Sequence, residues 1–359
     1  MPYRVIVWSP GHVGSCALAE VIKHPELELA GVLCYSPDKA GLDAGRLVGL
    51  PDTGIPATRD KEAIFALDAD VVLHHASKAH GMHENDADIL RLLESGKSVI
   101  TTTSYTHLPA YDPEFAARVE DACRRSGARF FGTGENPGFM LERVVATLTG
   151  VCHRLDRVVL EEYADCARYP GAKMVFDVMS MGQPPAAVTP DRPIVQAVSK
   201  MYHQALHGAA QVLGIGLERI GFDIRTAVLD YDLDIACGRI RRGTVAAQRL
   251  VWSGWSGGAP RLVIEEIWSA TKDIPEWGLG ALARWTHDNY WRIRIEGLPS
   301  LDLEMDLWIP DHDEPGMTGA QPAQLLVAMT AVRAIGEVCR APPGIVKAPV
   351  FAPFRPGQF

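Results

Sequence analysis

The feature that most constrains the fold is a glycine-containing turn near the start of the chain. The apolar run Tyr3–Trp8 (YRVIVW) is typical of a short buried strand, and the turn SPGHVG follows it at residues 9–14. Ser9, Gly11 and Gly14 occupy the three glycine places of the pattern G-x-G-x-x-G, with serine in the first. Such a turn between a strand and a helix is typical of the first unit of a Rossmann-type parallel sheet.

Strand and helix patterns keep alternating over the first 150 residues. The predicted strands are 3–8, 29–35, 70–75, 98–102 and 129–132, and the predicted helices are 15–24, 84–95 and 113–126. Short apolar strands that alternate with helices indicate a parallel sheet with right-handed crossovers. We therefore predict an α/β fold whose first domain, residues 1–150, binds a dinucleotide.

The pattern changes after about residue 151, where strand-like runs follow one another. A helix is predicted over 191–213, and strands over 223–236, 244–252, 261–270, 291–295 and 302–309. Strands in series indicate an α+β domain with an open mixed or antiparallel sheet. We assign residues 151–318 to a substrate and dimerisation domain. Residues 319–359, with a helix over 321–339, are expected to return and pack on the first domain.

Charge and cysteine usage exclude several classes of protein. The 35 Lys and Arg against 44 Asp and Glu give a net charge of −9, which does not favour a nucleic-acid partner. None of the seven cysteines forms a C-x-x-C pair, which argues against a zinc ribbon or a disulfide framework. Because no apolar run reaches the roughly 18 residues of a membrane span, we expect a cytoplasmic protein without a membrane partner.

The turn at residues 9–14 predicts a phosphate site. Gly11 lets the backbone approach a pyrophosphate, Gly14 lets helix and strand pack closely, and the helix N-terminus supplies N–H groups. The predicted cofactor-binding residues of the turn are Ser9, Pro10, Gly11, His12, Val13 and Gly14.

The end of the second predicted strand bears on the choice of cofactor. It reads Cys34-Tyr35-Ser36, and the nearest carboxylate, Asp38, lies beyond it. Since no carboxylate stands at the strand tip, Ser36 and Lys39 suit a 2′-phosphate, although Lys39 is equally well explained as a solvated loop lysine. We expect NADP(H) to be favoured over NAD(H).

The loops after the later strands supply the remaining candidates. We expect the segment HHASKAH, which begins at His74, to lie along the cofactor. His74, His75, His80 and His83 cluster there, but the first two alternate on a strand and no ligand spacing is complete, so no metal site is predicted. The cofactor-binding candidates of these loops are His75, Ala76, Ser77, Thr102 and Asn136.

Groups that handle protons are expected in the loops TTTSYTH (101–107) and GTGENPGF (132–139), beside a nicotinamide. We predict Tyr105, His107 and Glu135 as catalytic, with a packing or turn role as the alternative for each. Phe139, Tyr163, Tyr169 and Phe176 are the candidates for the substrate pocket.

The segments RVIVWSPGHVG, DVVLHHAS, GTGENPGF and APPGIV together resemble the dihydrodipicolinate-reductase-like superfamily. Within it, the chain is most similar to 2,4-diaminopentanoate dehydrogenase and the native amine dehydrogenases, and GTVAAQR (243–249) and WRIRIEGLPSL (291–301) extend the likeness into the second half. The resemblance implies a nicotinamide-dependent, usually dimeric enzyme that transfers hydride to the carbon of an imine formed from a ketone and ammonia.

The chain departs from this family at one point. In the amine dehydrogenases a glutamate in the loop after the fourth strand handles the amine, whereas residues 101–107 here hold no carboxylate. Tyr105 and His107 would suit protonation of an alkoxide instead, and Glu135 is a substitute carboxylate. Three interpretations follow: an oxidoreductase acting on an imine carbon, an NADPH-dependent ketone or aldehyde reductase, and a non-enzymatic sensor of NADP(H).

Overall fold

The structure, a computed structural model, describes residues 1–78, 81–282, 284–287 and 289–357. The chain divides into two compact units. The first comprises Met1–Met140 and Ile309–Pro349, and the second comprises Leu141–Trp308 and Val350–Phe359. The change of unit thus falls at Met140 rather than near residue 150, and the chain returns to the first unit earlier than residue 319.

The first unit is built on a parallel sheet. Its first six strands are β1 (Tyr3–Trp8), β2 (Leu27–Leu33), β3 (Ala57–Thr58), β4 (Val71–His74), β5 (Ser98–Thr101) and β6 (Arg129–Gly132). They lie in the order β6-β5-β4-β1-β2-β3, and each neighbouring pair is parallel. The predicted α/β fold class is confirmed, and the carboxyl ends of all these strands meet at one edge of the sheet.

Helices connect these strands. They are α1 (His12–Lys23), α2 (Lys61–Ala66), α3 (Asp86–Glu94), α4 (Leu108–Tyr111) and α5 (Pro113–Ser126). Asp112 caps α5, since its carboxylate accepts from the N–H groups of Glu114 and Phe115, each at 2.9 Å. The two-residue strand β3 and the six-residue helix α2 were not predicted, because elements this short show too little periodicity.

The second unit is built on a mixed sheet. Its elements are α6 (Ala146–Leu148), β7 (Arg154–Asp165), α7 (Pro193–Leu213), β8 (Arg219–Val228), β9 (Leu233–Ile235), β10 (Gly238–Ile240), β11 (Val245–Ser256), β12 (Ala259–Ser269), β13 (Asn289–Leu298) and β14 (Leu301–Leu307). The sheet order is β14-β13-β7-β12-β11-β8, with β7 and β12 parallel and the other pairs antiparallel. The predicted mixed sheet is confirmed, although β7 was missed.

The returning segment completes the first unit. It contains α8 (Pro322–Val332), α9 (Ile335–Arg340) and β15 (Gly344–Ile345), which adds a strand parallel to β6. The predicted helix over 321–339 is therefore interrupted after Val332. By length and a mean hydropathy of 1.2 the stretch Pro322–Arg340 is apolar enough to cross a membrane. Its apolar residues instead pack in the core of the first unit with those of α1.

The tail after Pro349 differs from the expectation that it packs on the first domain. It belongs to the second unit, where the N–H of Phe354 donates to Thr149 Oγ1 at 3.1 Å and the Arg355 guanidinium donates to the carbonyl of Val212 at 3.3 Å. Each of these bonds joins a side chain to the backbone of a distant segment, a contact that leaves no pattern in the hydropathy of the sequence.

Candidate functional site

The turn between β1 and α1 is shaped by backbone conformation. Ser9 has φ of +73°, the left-handed conformation usually given to glycine, in the first glycine place of the motif. Its N–H donates to the carbonyl of Leu33 at 2.8 Å, and its carbonyl accepts from Gly11 N–H at 2.8 Å. Serine thus takes the conformation that the motif requires, and the missing first glycine does not change the turn.

The two glycines of the turn serve different purposes. A Cβ at Gly14 would lie 2.1 Å from the carbonyl oxygen of Ser9, so any side chain there would force the helix away from the turn. A Cβ at Gly11 would meet nothing within 4 Å. Gly14 therefore permits packing inside the protein, whereas Gly11 faces open space at the start of α1.

A cavity of about 780 Å³ opens beside this turn. The helix α1 has no side-chain cap, so its first N–H groups remain available to an anion. The cavity is lined by Gly11, His12, Ser15, Cys16, Lys39, Leu47, Val48, Gly49, Asp313, Glu314, Pro315, Gly316, Met317, Thr318, Gly319, Ala320 and Gln324. These features fit a dinucleotide with its pyrophosphate at the helix N-terminus.

The wall formed by residues 313–320 was not foreseen. The acidic residues there are exposed, as solvated loop residues would be, yet Asp313 and Glu314 border the cavity. Glu314 is paired with Lys23 of α1, which holds the returning segment against the helix. Only the glycines at 316 and 319, both with positive φ, mark this turn in the sequence.

Two basic residues lie near the end of β2. The amine of Lys39 donates to the carbonyl of Pro10, which ties it to the turn. Lys39 and Arg59 both act on the Cys34 thiol, whose pKa is raised by burial and lowered by these two positive charges. Asp38 is exposed, and Ser36 begins the short helix Pro37–Lys39. Arg59, directly after β3, was missed because that strand was missed.

The histidines at the end of β4 are buried and neutral. His74 Nδ1 lies 3.1 Å from Thr101 Oγ1, and His75 Nδ1 lies 2.9 Å from Thr102 Oγ1. Burial lowers the pKa of both imidazoles to about 3. Among the described residues no three His, Cys, Asp or Glu side chains form a metal-binding group, and His80 lies outside the described residues.

The loop after β4 is held by a residue that the sequence did not single out. Asn85, buried just before α3, donates from Nδ2 to the carbonyls of Ala76 and Ser77 at 3.5 and 3.0 Å. Ala76 is buried and Ser77 is exposed. Asn85 therefore holds the backbone of Ala76 and Ser77 at the carboxyl edge of the sheet, where the cofactor is predicted to lie.

Tyr105 does not have the geometry expected of a proton donor to substrate. Its side chain is 1% exposed, and its hydroxyl donates to Asp86 Oδ1 at 2.7 Å. Burial and the neighbouring Asp86 raise the pKa of Tyr105 far above its ordinary value. The hydroxyl is thus engaged inside the first unit.

The other two catalytic candidates have different surroundings. His107 caps α4, because its Nδ1 accepts from the N–H of Ala110 at 3.1 Å. Glu135 is buried at 8% exposure, and its carbonyl accepts from the N–H groups of Phe139 and Met140. His107 therefore has a structural task that the sequence did not reveal, and Glu135 lies in a tightly turned loop.

Asn136 has the properties expected of a ligand-binding amide. Its Nδ2 and Oδ1 are both buried, and neither has a hydrogen-bond partner among the described residues. Buried amide atoms without partners are costly, so a ligand carboxamide would satisfy them. The Thr133 hydroxyl, also buried after β6, is likewise without a described partner.

The structure adds Lys78, which the sequence analysis did not select. Its amine lies 3.4 Å from the centroid of the Tyr105 ring, 4.3 Å from that of Tyr111 and 3.4 Å from the carbonyl of Ser104. Burial lowers the pKa of Lys78 to about 7. A lone lysine in a loop gives no signal in the sequence, and only the fold brings it to these rings.

The pocket candidates divide between the units. Phe139 belongs to the first unit, whereas Tyr163, Tyr169 and Phe176 share one apolar cluster of the second. The Tyr163 ring centroid lies 5.6 Å from that of Trp285 and 5.5 Å from that of Tyr290. The last three candidates are thus brought together by the fold of the second unit.

Three known proteins to which the chain is similar are dehydrogenases. The chain is 29% identical over 363 residues to an amine dehydrogenase from Streptomyces virginiae, covering 98% of this chain and 96% of that relative. Its structure is similar to that of an amine dehydrogenase from Mycobacterium smegmatis, with a TM-score of 0.71, 18% identity and coverage of 97% and 95% of the two chains. No family model matches the chain.

A dehydrogenase from Thermus thermophilus, solved in complex with NAD and UDP-GlcNAcA, has a TM-score of 0.51 at 14% identity, covering 96% of this chain and 97% of that one. The expected resemblance to amine dehydrogenases is therefore supported, while the placement in the wider dihydrodipicolinate-reductase-like superfamily and the likeness to 2,4-diaminopentanoate dehydrogenase remain predictions. With the dinucleotide turn and its cavity, these similarities identify the chain as an NAD(P)-dependent oxidoreductase.

Proposed function

We propose that the protein transfers hydride between a nicotinamide cofactor and the carbon of an imine formed from a small ketone or aldehyde and ammonia. The observation that carries this proposal is the similarity to an amine dehydrogenase over 98% of the chain. Under this proposal the chain is a relative of 2,4-diaminopentanoate dehydrogenase within the dihydrodipicolinate-reductase-like superfamily.

The chain's own residues bind and orient the cofactor in this proposal. The first turn of α1 and the open space at Gly11 receive the pyrophosphate, and the amide of Asn136 holds the nicotinamide carboxamide. His75 and Thr102 form a neutral wall, because the buried imidazole carries no charge at neutral pH. When bound, the nicotinamide supplies or accepts the hydride.

We further propose that the cofactor is NADP(H). Lys39 and Arg59 place two positive charges near the end of β2, and the nearest carboxylate in that turn, Asp38, is exposed beyond it. A 2′-phosphate carries negative charge that these groups would offset, whereas the ribose hydroxyl of NAD(H) needs an acceptor.

The remaining features of the proposal rest on sequence. We propose a cytoplasmic homodimer, as the resembling family is usually dimeric, and a role in substrate binding for each of Phe139, Tyr163, Tyr169 and Phe176. Variants of Tyr163 or Phe176 should then change KM for the carbonyl compound and leave KM for the cofactor unchanged.

A second candidate function is reduction of a ketone or aldehyde to an alcohol. It is favoured by the loop at residues 101–107, which lacks the carboxylate that handles the amine in the amine dehydrogenases. Asp86, a carboxylate that contacts this loop, already accepts hydrogen bonds from Tyr105 and Tyr111.

The test is oxidation of NADPH and of NADH with a panel of small ketones and aldehydes, each with and without ammonium. Consumption that requires ammonium supports imine reduction, and consumption indifferent to ammonium supports the second candidate. Oxidation of neither cofactor with any compound would contradict both.

A further inference from the structure

The amine of Lys78 joins the two loops that follow the central strands β4 and β5. It lies over the faces of Tyr105 and Tyr111 and near the carbonyl of Ser104, all on the β5 side. Ring faces attract a cation, and this attraction strengthens when water is excluded. Two ring faces and one backbone carbonyl therefore define the position of the amine at the carboxyl edge of the sheet.

Asp86 fixes the two rings that hold the amine. Its Oδ1 accepts from the hydroxyls of Tyr105 at 2.7 Å and Tyr111 at 2.8 Å, and its Oδ2 lies 2.8 Å from His83 Nδ1. The Tyr111 hydroxyl also lies 2.7 Å from the carbonyl of Met82. These contacts give the cluster a geometry that does not depend on Lys78 itself.

The groups that face the Lys78 amine, together with its burial, set its pKa close to neutral pH. They are Asp86, which raises its pKa, the rings of Tyr105 and Tyr111, and His74, whose own pKa of about 3 keeps it neutral. Burial outweighs Asp86 and lowers the pKa of Lys78 to about 7. Both forms of the amine are then populated at neutral pH, the condition under which a general acid is most effective.

Lys61 provides a comparison within the same unit. Its amine also lies near two rings, 5.8 Å from the centroid of Trp8 and 5.7 Å from that of Tyr35. It forms an ion pair with Asp88 at 2.5 Å, so its charge has a direct partner. Proximity to aromatic rings is thus common to both lysines, whereas the link between the β4 and β5 loops belongs to Lys78.

We propose that Lys78 is the proton-transfer group of the site and that Tyr105, Tyr111 and Asp86 are its positioning residues. During cofactor oxidation, an Nζ–H bond of the ammonium breaks, and a bond from that proton forms to the imine nitrogen or carbonyl oxygen on the reacting carbon. The electron pair stays on Nζ, the hydride supplies the new C–H bond, and the neutral amine regains a proton from solvent.

This inference rests on the proposed function for its substrate, and it applies equally to an imine and to a carbonyl. Its first test therefore needs no substrate. The full chain is acetylated with acetic anhydride at a series of pH values, and modification of Lys78 is measured by peptide mass spectrometry. We expect half-maximal labelling near pH 7.

Asp86→Asn should move the midpoint of Lys78 labelling to lower pH, since Asp86 favours the charged amine. A midpoint above about pH 9, near an ordinary lysine, would overturn the proposal.

The second test compares Lys78→Met with Lys61→Met. Lys78→Met should lower kcat by roughly 10²–10⁴-fold, with unchanged KM for cofactor, and Lys61→Met should leave kcat unchanged.

The wild-type rate of NAD(P)H oxidation should fall as pH rises above about 7, because only the protonated amine donates a proton. In Lys78→Arg this fall in rate above pH 7 should be absent. A Lys78→Met variant that is folded and within threefold of wild type would overturn the proposal. If the wild type acts on no carbonyl compound, the proposed function fails, and the labelling midpoint decides the assignment of Lys78.

Discussion

Two regions of the first unit lie at the same edge of the parallel sheet, and they are held in place by different kinds of contact. The turn between β1 and α1 is made of backbone, with Ser9 in a left-handed conformation and Gly14 in close approach to it. The loops after β4 and β5 are joined by side chains, centred on Lys78, Tyr105 and Asp86. A backbone site lies within a few consecutive residues, whereas the side-chain cluster draws on three separate segments of the chain.

Because one region is made of backbone and the other of side chains, we expect variants in the two regions to impair different properties of the protein. Damage to the turn should weaken cofactor binding and leave the proton chemistry intact, because the turn touches phosphate. Damage to the side-chain cluster should lower the rate and leave cofactor affinity intact. Variants in each region therefore test whether cofactor binding and proton transfer depend on separate sets of residues.

After that of Lys78→Met, the largest expected effect is that of Gly11→Val. The added side chain meets nothing within 4 Å, so the chain should fold, but it occupies the space where a pyrophosphate would approach. We expect dinucleotide affinity, measured by titration of NADPH fluorescence, to fall at least about 100-fold, or roughly 2.8 kcal/mol. Gly216→Val, also in open space but in the second unit, is the matched control. Normal affinity in Gly11→Val would refute the placement of the cofactor.

Loss of a basic residue near β2 should have a smaller and selective effect. Lys39→Ala or Arg59→Ala removes a charge suited to the 2′-phosphate, and a charge-assisted hydrogen bond is worth about 1.5–3 kcal/mol. We expect Kd for NADPH to rise about tenfold or more, since each 1.4 kcal/mol is tenfold, with Kd for NADH nearly unchanged. Equal losses for both cofactors would argue against NADP(H) preference.

If Lys78 transfers the proton, Tyr105→Phe should lower kcat less than tenfold. The variant retains the ring under the Lys78 amine and loses only the hydrogen bond to Asp86. The free energy of unfolding should fall by about 1 kcal/mol, measured by urea denaturation. A fall in kcat of roughly 10²–10⁴-fold in a folded variant would instead restore Tyr105 as the proton donor of the original prediction.

The smallest effect is expected from His107→Ala. This change removes the side chain that caps α4 through the N–H of Ala110, and loss of a helix cap costs about 0.5–2 kcal/mol. Thermal unfolding should shift to a slightly lower temperature, while kcat changes little. A pH-dependent loss of kcat with unchanged stability would show that His107 handles a proton.

The same comparison explains what could be predicted from sequence. The turn, the parallel sheet and the second mixed sheet each follow from local patterns of glycine and apolar residues, and all three agree with the structure. Helix α5 and strands β1 and β6 were predicted to the residue. These elements are long or strongly patterned enough for periodicity to define them.

The parts that were missed depend on contacts between distant segments. Residues 313–320 join a turn some 300 positions earlier, and Arg59 follows a strand too short to recognise. Tyr105 is a candidate by its chemistry and its place in a loop, but its burial and its bond to Asp86 arise from the packing of α3 on β5 and of α4 on α5. The sequence therefore predicts a site at the carboxyl edge of the sheet, whereas the contacts of the side chains at that edge are seen only in the fold.

The most direct test of the proposed reaction follows the hydride itself. The protein would be incubated with NADPH deuterated at the transferring position of nicotinamide C4, a ketone that supports turnover, and ammonium, and the product analysed by mass spectrometry and NMR. We predict an amine that carries one deuterium on the former carbonyl carbon. A deuterated alcohol formed at the same rate with or without ammonium, or no deuterium in any product, would contradict imine reduction.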